Sequence, residues 1–466
     1  MGGYGRQCAA ALAGSIAIFS TGMAYGWVSP VLNTITDENG EIRASKEQYS
    51  WIAADVEIGF FSTPFLASYL MDKFGRKRPM LITVLLSLVS WTLTITTRSV
   101  NILYLKRILD GMVGGVMLTV TPVYLAEIAE ASIRGSVLLS ITVTWFAGTL
   151  AQFCIGTYLS YNVSAAVNLI PPLAYCVLFS FLPESPYYLM MKKEDKKAAK
   201  SLSWFRDIQI DQAAKELTEI SDYLKRDAEN KKSWYDVMVN PIYRRCLFVV
   251  LVISLAVNLT GVTAVFAYAT KIFAGTSNGF LNPDICSVVI ASLFFVISIP
   301  VCLLIDKIGR RPLLLISTTG CCLSSLLSAG YFYYKDQIVY TWIPLVTVGL
   351  YSVFVSVGLN PVTIAFQGEL FPSSVKSVAS GMVQVFLTIT SFVGIKMFYL
   401  VESYFGLYVN YIIYAVVGFI ASILLYIYAP ETKNKTFNQL LVELQGVKVK
   451  DELQEMEELK SLNQVT

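Results

Sequence analysis

Long apolar runs, each about the 20 residues needed to cross a bilayer, alternate along this chain with short polar segments. Twelve can be drawn, near 8–33, 51–71, 80–98, 100–126, 136–160, 165–182, 244–273, 283–305, 312–333, 340–366, 378–401 and 407–429. The first is too long for a cleaved leader, holds Gly26-Trp27 and lacks a basic flank beyond Arg6, so it reads as a retained helix. One stretch, 184–243, breaks the rhythm. Lys192, Lys193, Lys196, Lys197 and Lys200 alternate there with acids and small residues, while Leu202, Phe205, Ala213, Leu217, Ile220 and Leu224 recur at near-helical spacing. That pattern predicts short amphipathic helices, serving either as a solvated tether or as a latch. The tail, with Leu440, Leu441 and Leu444 before the Glu-rich segment 452–458, repeats the pattern more weakly. The expected organisation is a six-helix half (1–182), a helical linker (183–243), a second six-helix half (244–429) and a tail (430–466).

The two halves carry the same punctuation. Asp72-Lys73-Phe74-Gly75-Arg76-Lys77-Arg78-Pro79 returns as Asp306-Lys307-Ile308-Gly309-Arg310-Arg311-Pro312, 234 positions later. Glu127 is followed by Arg134 as Glu369 is by Lys376, and Pro183-Glu184-Ser185-Pro186 is echoed by Pro430-Glu431-Thr432-Lys433. Motifs that recur in order at the ends of apolar runs indicate duplicated six-helix bundles, an all-α membrane protein of transporter type.

Composition narrows the function. Hydrophobic residues make up 55% and charged residues only 15% of the chain, and mean hydropathy is +0.57, which indicates a lipid-embedded protein. With both termini and the two DKxGR turns on one side, that side collects most of the 36 basic residues, which makes it cytoplasmic by the positive-inside rule. The net charge of +3 thus reports topology and not nucleic-acid binding. No histidine is present, which removes His-metal sites, Ser-His-Asp chemistry and histidine proton relays. No phosphate-cradling loop is present either, so no enzyme activity, cofactor, metal or ATP drive is expected. The eight cysteines form no disulfide framework and no CxxC. The sequon at Asn162 sits in too short a loop for a glycan to be expected.

Together these motifs, with Arg107 on span four, Tyr124-Leu125-Ala126-Glu127 and Glu369-Leu370-Phe371-Pro372, make the chain resemble the sugar porter branch of the major facilitator superfamily from residue 8 to about 437. Gly26-Trp27-Val28-Ser29-Pro30 and Lys396 resemble the insect trehalose and glucose facilitators. The resemblance implies a monomeric plasma-membrane carrier of a small solute, a hexose or trehalose, working in the lipid bilayer. Charge placement adds a gate. A carboxylate at a helix C-terminus opposes the helix dipole unless basic groups adjoin it. Asp72, Arg76, Arg78, Glu127 and Arg134 are therefore expected to gather into one cluster, and Asp306, Arg310, Glu369 and Lys376 into another. Such clusters would stabilise a cytoplasm-closed state. Lys376 stands where arginine is usual, which weakens bidentate pairing there.

The solute site departs from the family pattern. Sugar porters supply Gln on span five, Gln-Gln and Asn on span seven, Asn on span eight, Trp on span ten and Asn on span eleven. This chain has Thr142, Val257-Asn258 with Thr263, Phe294, Ile364 and Gln384 at those positions. Asn360 adds a polar group on span ten, and Trp145 is placed to replace the lost aromatic platform. The expected solute contacts are Thr142, Trp145, Asn258, Thr263, Asn360 and Gln384, each of which could equally serve helix packing.

Coupling rests on ionisable residues. The aspartate that proton-coupled sugar porters carry on span one is replaced here by Gly22-Met23-Ala24-Tyr25-Gly26. Asp55 and Glu57 lie in span two, where an acid is costly. They are expected to pair with Arg107 or Lys396 as an outer gate, and proton carriage is the alternative. Facilitated diffusion is the expected mode. A proton-coupled carrier of a non-sugar solute and a transporter-like nutrient sensor remain as other readings.

Overall fold

The computed structural model describes residues 3–37, 40–218, 234–274, 282–338, 340–371, 373–433, 435 and 439–440. The side chains of residues 131, 132, 134, 136, 139, 302, 303, 373, 374, 376 and 377 fall outside that description. Twelve long helices follow the apolar runs. In the first half they are α1 (Gly3–Gly26), α2 (Lys46–Phe74), α3 (Lys77–Thr96), α4 (Val100–Ile128), α5 (Ala131–Tyr158) and α6 (Tyr161–Ser180). In the second they are α7 (Pro241–Ala274), α8 (Pro283–Ile308), α9 (Arg310–Tyr333), α10 (Ile343–Glu369), α11 (Ser373–Phe405) and α12 (Leu407–Tyr428). Among the described residues, ten of them are long and apolar enough to cross a membrane by length and composition, α2 and α5 being the others. The halves meet chiefly where α2 lies against α11 and α5 against α8.

Small residues set the closest packing. A Cβ on Gly111 of α4 would fall 1.9 Å from the Val56 carbonyl oxygen of α2, and one on Gly59 would fall 2.2 Å from that of Ile108. Only glycine lets these two backbones touch, as is usual where lipid offers no hydrophobic drive for helix association. Two helices are locally broken. In α7 a turn at Thr260-Gly261 uses a positive φ of 107° at Gly261, and Tyr268 is non-helical. In α10 a π-turn spans Val355–Leu359 immediately before Asn360.

The duplicated motifs build two equivalent turn clusters on the face that carries the DKxGR turns. Glu127 accepts hydrogen bonds from Arg76 Nε and Nη2, at 3.0 and 2.7 Å, and from the Ser185 hydroxyl, while Arg76 Nη1 donates to the Met71 carbonyl at 3.3 Å. Glu369 likewise accepts from Arg310 Nη2 at 2.7 Å and from the Thr432 hydroxyl, and Arg310 Nη1 donates to the Ile305 carbonyl. The third motif supplies caps. Glu184 accepts from the backbone amides of Arg76 and Lys77 at the start of α3, and Glu431 accepts from those of Arg310 and Arg311 at the start of α9. An anion there meets unpaired amides and the positive end of the helix dipole. Space is tight, since a Cβ on Gly75 or Gly309 would lie 2.3 or 2.7 Å from the capping carboxylate.

One expectation needs correction. Asp72 is exposed and makes no ion pair with Arg76 among the described residues, because Glu127 and the Met71 carbonyl already take the guanidinium nitrogens. Asp306 does pair with Arg310, at 2.8 Å. More importantly, the contacts described in each cluster stay within one half and its departing segment. They brace a half. Arg78 is exposed, and the side chains of Arg134 and Lys376 lie outside the described residues.

Linker helices Pro186–Met191 and Asp195–Arg206 dock on the first half. Leu202, Phe205, Ala213 and Leu217 are buried, whereas Ile220 and Leu224 lie outside the described residues. Arg6 donates to the Trp204 carbonyl at 2.9 Å and pairs with Asp207 at 3.0 Å, and Ser201 bonds the Glu184 carbonyl at 2.6 Å.

Burial works against the Glu431 charge, but backbone amides of Lys433, Arg310, Arg311 and Thr432 outweigh it and hold its carboxyl below the usual value of 4.5. A lowered folded value means stabilisation that is complete above pH 4.5 and is lost as pH falls through the folded value. Glu431→Gln should cost about 1 kcal/mol near neutrality. Thermal unfolding in detergent between pH 7 and pH 3 should show wild-type and variant melting temperatures converging only at the acid end.

Candidate functional site

The midplane between the halves is filled by aromatic rings. Tyr25 of α1 lies 5.2 Å from Trp145 of α5, 6.3 Å from Phe266 of α7 and 6.4 Å from Phe60 of α2, between ring centroids. Phe266 packs 4.6 Å from Phe294 of α8, which stacks on Phe146 at 5.7 Å. Trp145 therefore stands in the centre, within reach of both halves. Its indole N–H and the Thr263 hydroxyl are buried without a hydrogen-bond partner among the described residues. Unpaired buried donors are rare enough in proteins to suggest a ligand or water partner.

The remaining expected contacts scatter. Asn258 is buried and both its amide hydrogens are committed to α11, to the Leu387 carbonyl and the Thr390 hydroxyl, each at 2.8 Å. Only its carbonyl oxygen is left for a solute. Gln384 lines a cavity of about 30 Å³ with Phe60, Pro64, Gly115, Leu118 and Thr119. That volume suits a water or two, against the several hundred Å³ of a ligand pocket. Thr142 and Asn360 are half-buried and make no side-chain hydrogen bond among the described residues. At the replaced positions, Phe294 is fully enclosed, Val257 is buried and Ile364 is exposed.

Polar contacts between the halves lie along one face of α2 and α11 and at the ends of α1 and α7. The Ser391 hydroxyl donates to Glu57 Oε1 at 2.7 Å, and the Tyr25 hydroxyl donates to the same oxygen at 3.3 Å. One level further from the DKxGR turns, Lys396 Nζ donates to the Ser50 hydroxyl at 2.8 Å and sits 3.8 Å from the Trp51 ring centroid. Beside them the Tyr49 hydroxyl donates to the Ala267 carbonyl at 2.7 Å, next to the kink at Tyr268. Ser29 Oγ accepts from the Thr270 amide at 3.1 Å. No hydrogen bond or ion pair described joins the halves on the face of the turns. Among the described residues, the polar contacts between the halves therefore lie away from the face of the turns.

The expected pairing of Asp55 and Glu57 with Arg107 or Lys396 is not observed among the described residues. Lys396 is taken by Ser50 and Trp51. Arg107 is fully buried and donates to the Ile52 and Ala24 carbonyls at 3.0 and 2.7 Å, with Asp110 at 3.5 Å. Asp55 is buried and joins neither. Sequence reasoning passed over Asp110, whose partner is Lys106 at 2.6 Å on the next turn of α4. Lys106 Nζ lies between the Trp27 and Trp91 rings, 3.7 and 4.2 Å from their centroids. The i,i+4 spacing of a lysine and an aspartate inside an apolar run was the available signal. The pair and its cation–π box hold α1, α3 and α4 together behind Tyr25.

The geometry matches known carriers. The profile of the family described as sugar (and other) transporter matches residues 7–443. The facilitated trehalose transporter Tret1 of Bombyx mori is 26% identical over 444 residues, spanning 94% of this chain and 86% of its own. Its namesake in Apis mellifera ligustica is 25% identical over 445 residues, spanning 94% of this chain and 88% of its own. Among solved structures, the E. coli xylose transporter XylE in a partially occluded inward-open conformation superposes with a TM-score of 0.76 at 20% identity, over 93% of this chain and 99% of its own. The XylE proton:xylose symporter bound to 6-bromo-6-deoxy-D-glucose gives 0.73, also at 20% identity, over 95% and 99%. With that profile spanning nearly its whole length, the chain belongs to the sugar (and other) transporter family.

Proposed function

We propose that this protein moves a sugar, a hexose or trehalose, across the plasma membrane by alternating access, as a monomer with both termini cytoplasmic. The observation that carries the reading is the division of its polar contacts. Those within each half, around Arg76–Glu127 and Arg310–Glu369, make the halves rigid. Those between the halves, Ser391–Glu57, Lys396–Ser50 and Tyr49–Ala267, lie toward one face only and can exchange with water when that face opens. A body made of two braced halves with a one-sided seam rocks about a central site. The basic DKxGR face is the cytoplasmic one, which makes the seam extracellular.

The mode is facilitated diffusion. Span one offers no acid, Asp110 of span four is neutralised by Lys106 within its own helix, and the buried Asp55 and Glu57 of span two are the acids left to the alternative, proton carriage, which a pH gradient tests. Saturable uptake of radiolabelled glucose or trehalose into oocytes should be the same with and without a pH gradient and should stop at equal concentrations inside and out. Accumulation above the medium driven by the gradient would overturn uniport, and absence of uptake of both sugars would overturn the sugar reading.

Tyr49→Phe removes the hydroxyl that bonds the Ala267 carbonyl across the seam and the Val28 carbonyl within its own half. Such a bond contributes about 1 kcal/mol, or roughly a fivefold shift between two states. Outward-facing populations should rise, measured as faster labelling of a cysteine placed at Thr270 by an impermeant maleimide, at equal surface expression. Labelling at the wild-type rate would remove Tyr49 from the seam.

A further inference from the structure

We infer that Glu57, with Tyr25 and Trp145, forms the solute-recognition subsite of this carrier, where its carboxylate accepts hydrogen bonds from the sugar's hydroxyls. The inference rests on the sugar reading above and names the contacts it lacks. Of the positions at which sugar porters place their amides and tryptophan, Val257, Phe294 and Ile364 are apolar, Asn258 has its donors committed to a neighbouring helix, and Gln384 lines only the cavity of about 30 Å³. Hydrogen-bonding capacity at the midplane lies elsewhere. Glu57 is 5% exposed, on α2 at the seam. Its Oε1 accepts from two neutral hydroxyls, Ser391 and Tyr25, and no hydrogen bond to Oε2 is described.

The donors that Glu57 now holds indicate what it would accept. Ser391 belongs to the other half, so parting the seam withdraws it. A carboxylate left behind in an apolar interior needs hydroxyl donors, and hydroxyl-to-carboxylate bonds are among the stronger neutral-partner contacts. A solute entering from the opened face supplies them, and closure returns Glu57 to Ser391. Beside it the Tyr25 ring packs with those of Trp145, Phe60 and Phe266, an aromatic cluster that suits the apolar face of a sugar ring.

Carboxylate and aromatic rings together could also cage an organic cation. The buried Trp145 N–H favours the sugar reading, because it can only donate and finds its acceptor in a hydroxyl oxygen. With the Thr263 hydroxyl, also buried and unpartnered, it suits a neutral polyol that both donates and accepts. Phe60 borders both Tyr25 and the small cavity at Gln384, so it separates this subsite from the path toward the DKxGR face.

The test uses the full chain in oocytes. Glucose and its single-position deoxy analogues compete against uptake of the radiolabelled sugar that the wild type transports. In the wild type, removing at least one hydroxyl should weaken inhibition about tenfold. Glu57→Gln, at equal surface expression, should weaken the parent sugar by a similar factor and flatten the dependence on that hydroxyl. Trp145→Phe keeps a ring and removes only the N–H, and it should abolish discrimination at a different position. A variant that merely disturbs packing would weaken every analogue equally. Unchanged deoxy profiles in both variants, or a uniform loss across the series, would overturn the assignment. Should Glu57→Gln fail to reach the surface, the Trp145→Phe profile decides alone. A wild type that takes up neither glucose nor trehalose fails differently, by removing the sugar reading on which the subsite rests.

Discussion

Glu57 can be buried because the other half of the molecule supplies one of its hydrogen bonds. In hydrocarbon a carboxylate without donors is costly, and donors brought by a separate rigid body tie that cost to the body's position. Ser391 on α11 is such a donor, and Lys396 with Ser50 repeats the arrangement one level away. Each contact is satisfied while the seam is shut and must find water or solute when it opens. The seam therefore acts as a switch because its partners are divided between two bodies.

That division works only if the bodies do not deform. The two turn clusters supply rigidity with the same parts: an arginine spanning a helix-end carbonyl and a carboxylate, a hydroxyl on that carboxylate, and a second acid capping the next helix. Close glycine crossings between α2 and α4, and the Lys106–Asp110 pair held by Trp27 and Trp91, add to the first half. Docking of the linker helices on that half brings the chain's N-terminal segment, Glu130 and Arg206 into one network.

Much of this was legible in the sequence. Apolar runs and duplicated turns located the helices and the two-body plan, because both follow from period, length and repetition. Arg76–Glu127 and Arg310–Glu369 were legible because the motifs recur together. The capping role of Glu184 and Glu431 was not assigned, although their motif had been noted, because a cap depends on where the chain returns in space. Asn258 kept the residue type of a sugar contact, yet α11 takes its donors, and no spacing within α7 reveals that. Asp55, Lys396 and Arg107 shared one level along their helices, which suggested pairing. Helical rotation and competing carbonyls, invisible in one dimension, separated them. The solute site was least legible because it depends on three helices at once and on which hydroxyls the opposite half withdraws.

The central claim is that the two halves are rigid bodies joined by a seam on one face. Spin labels placed at Ser29 and Asn282 for the seam face, and at Tyr69 and Ile308 for the face of the turns, allow distances between halves to be measured by pulsed electron paramagnetic resonance in lipid nanodiscs. Seam substitutions such as Ser391→Ala should lengthen the first distance and shorten the second, in opposite directions and with no change between two labels inside one half. Distances that broaden within a half, or that change on both faces in the same direction, would contradict the account.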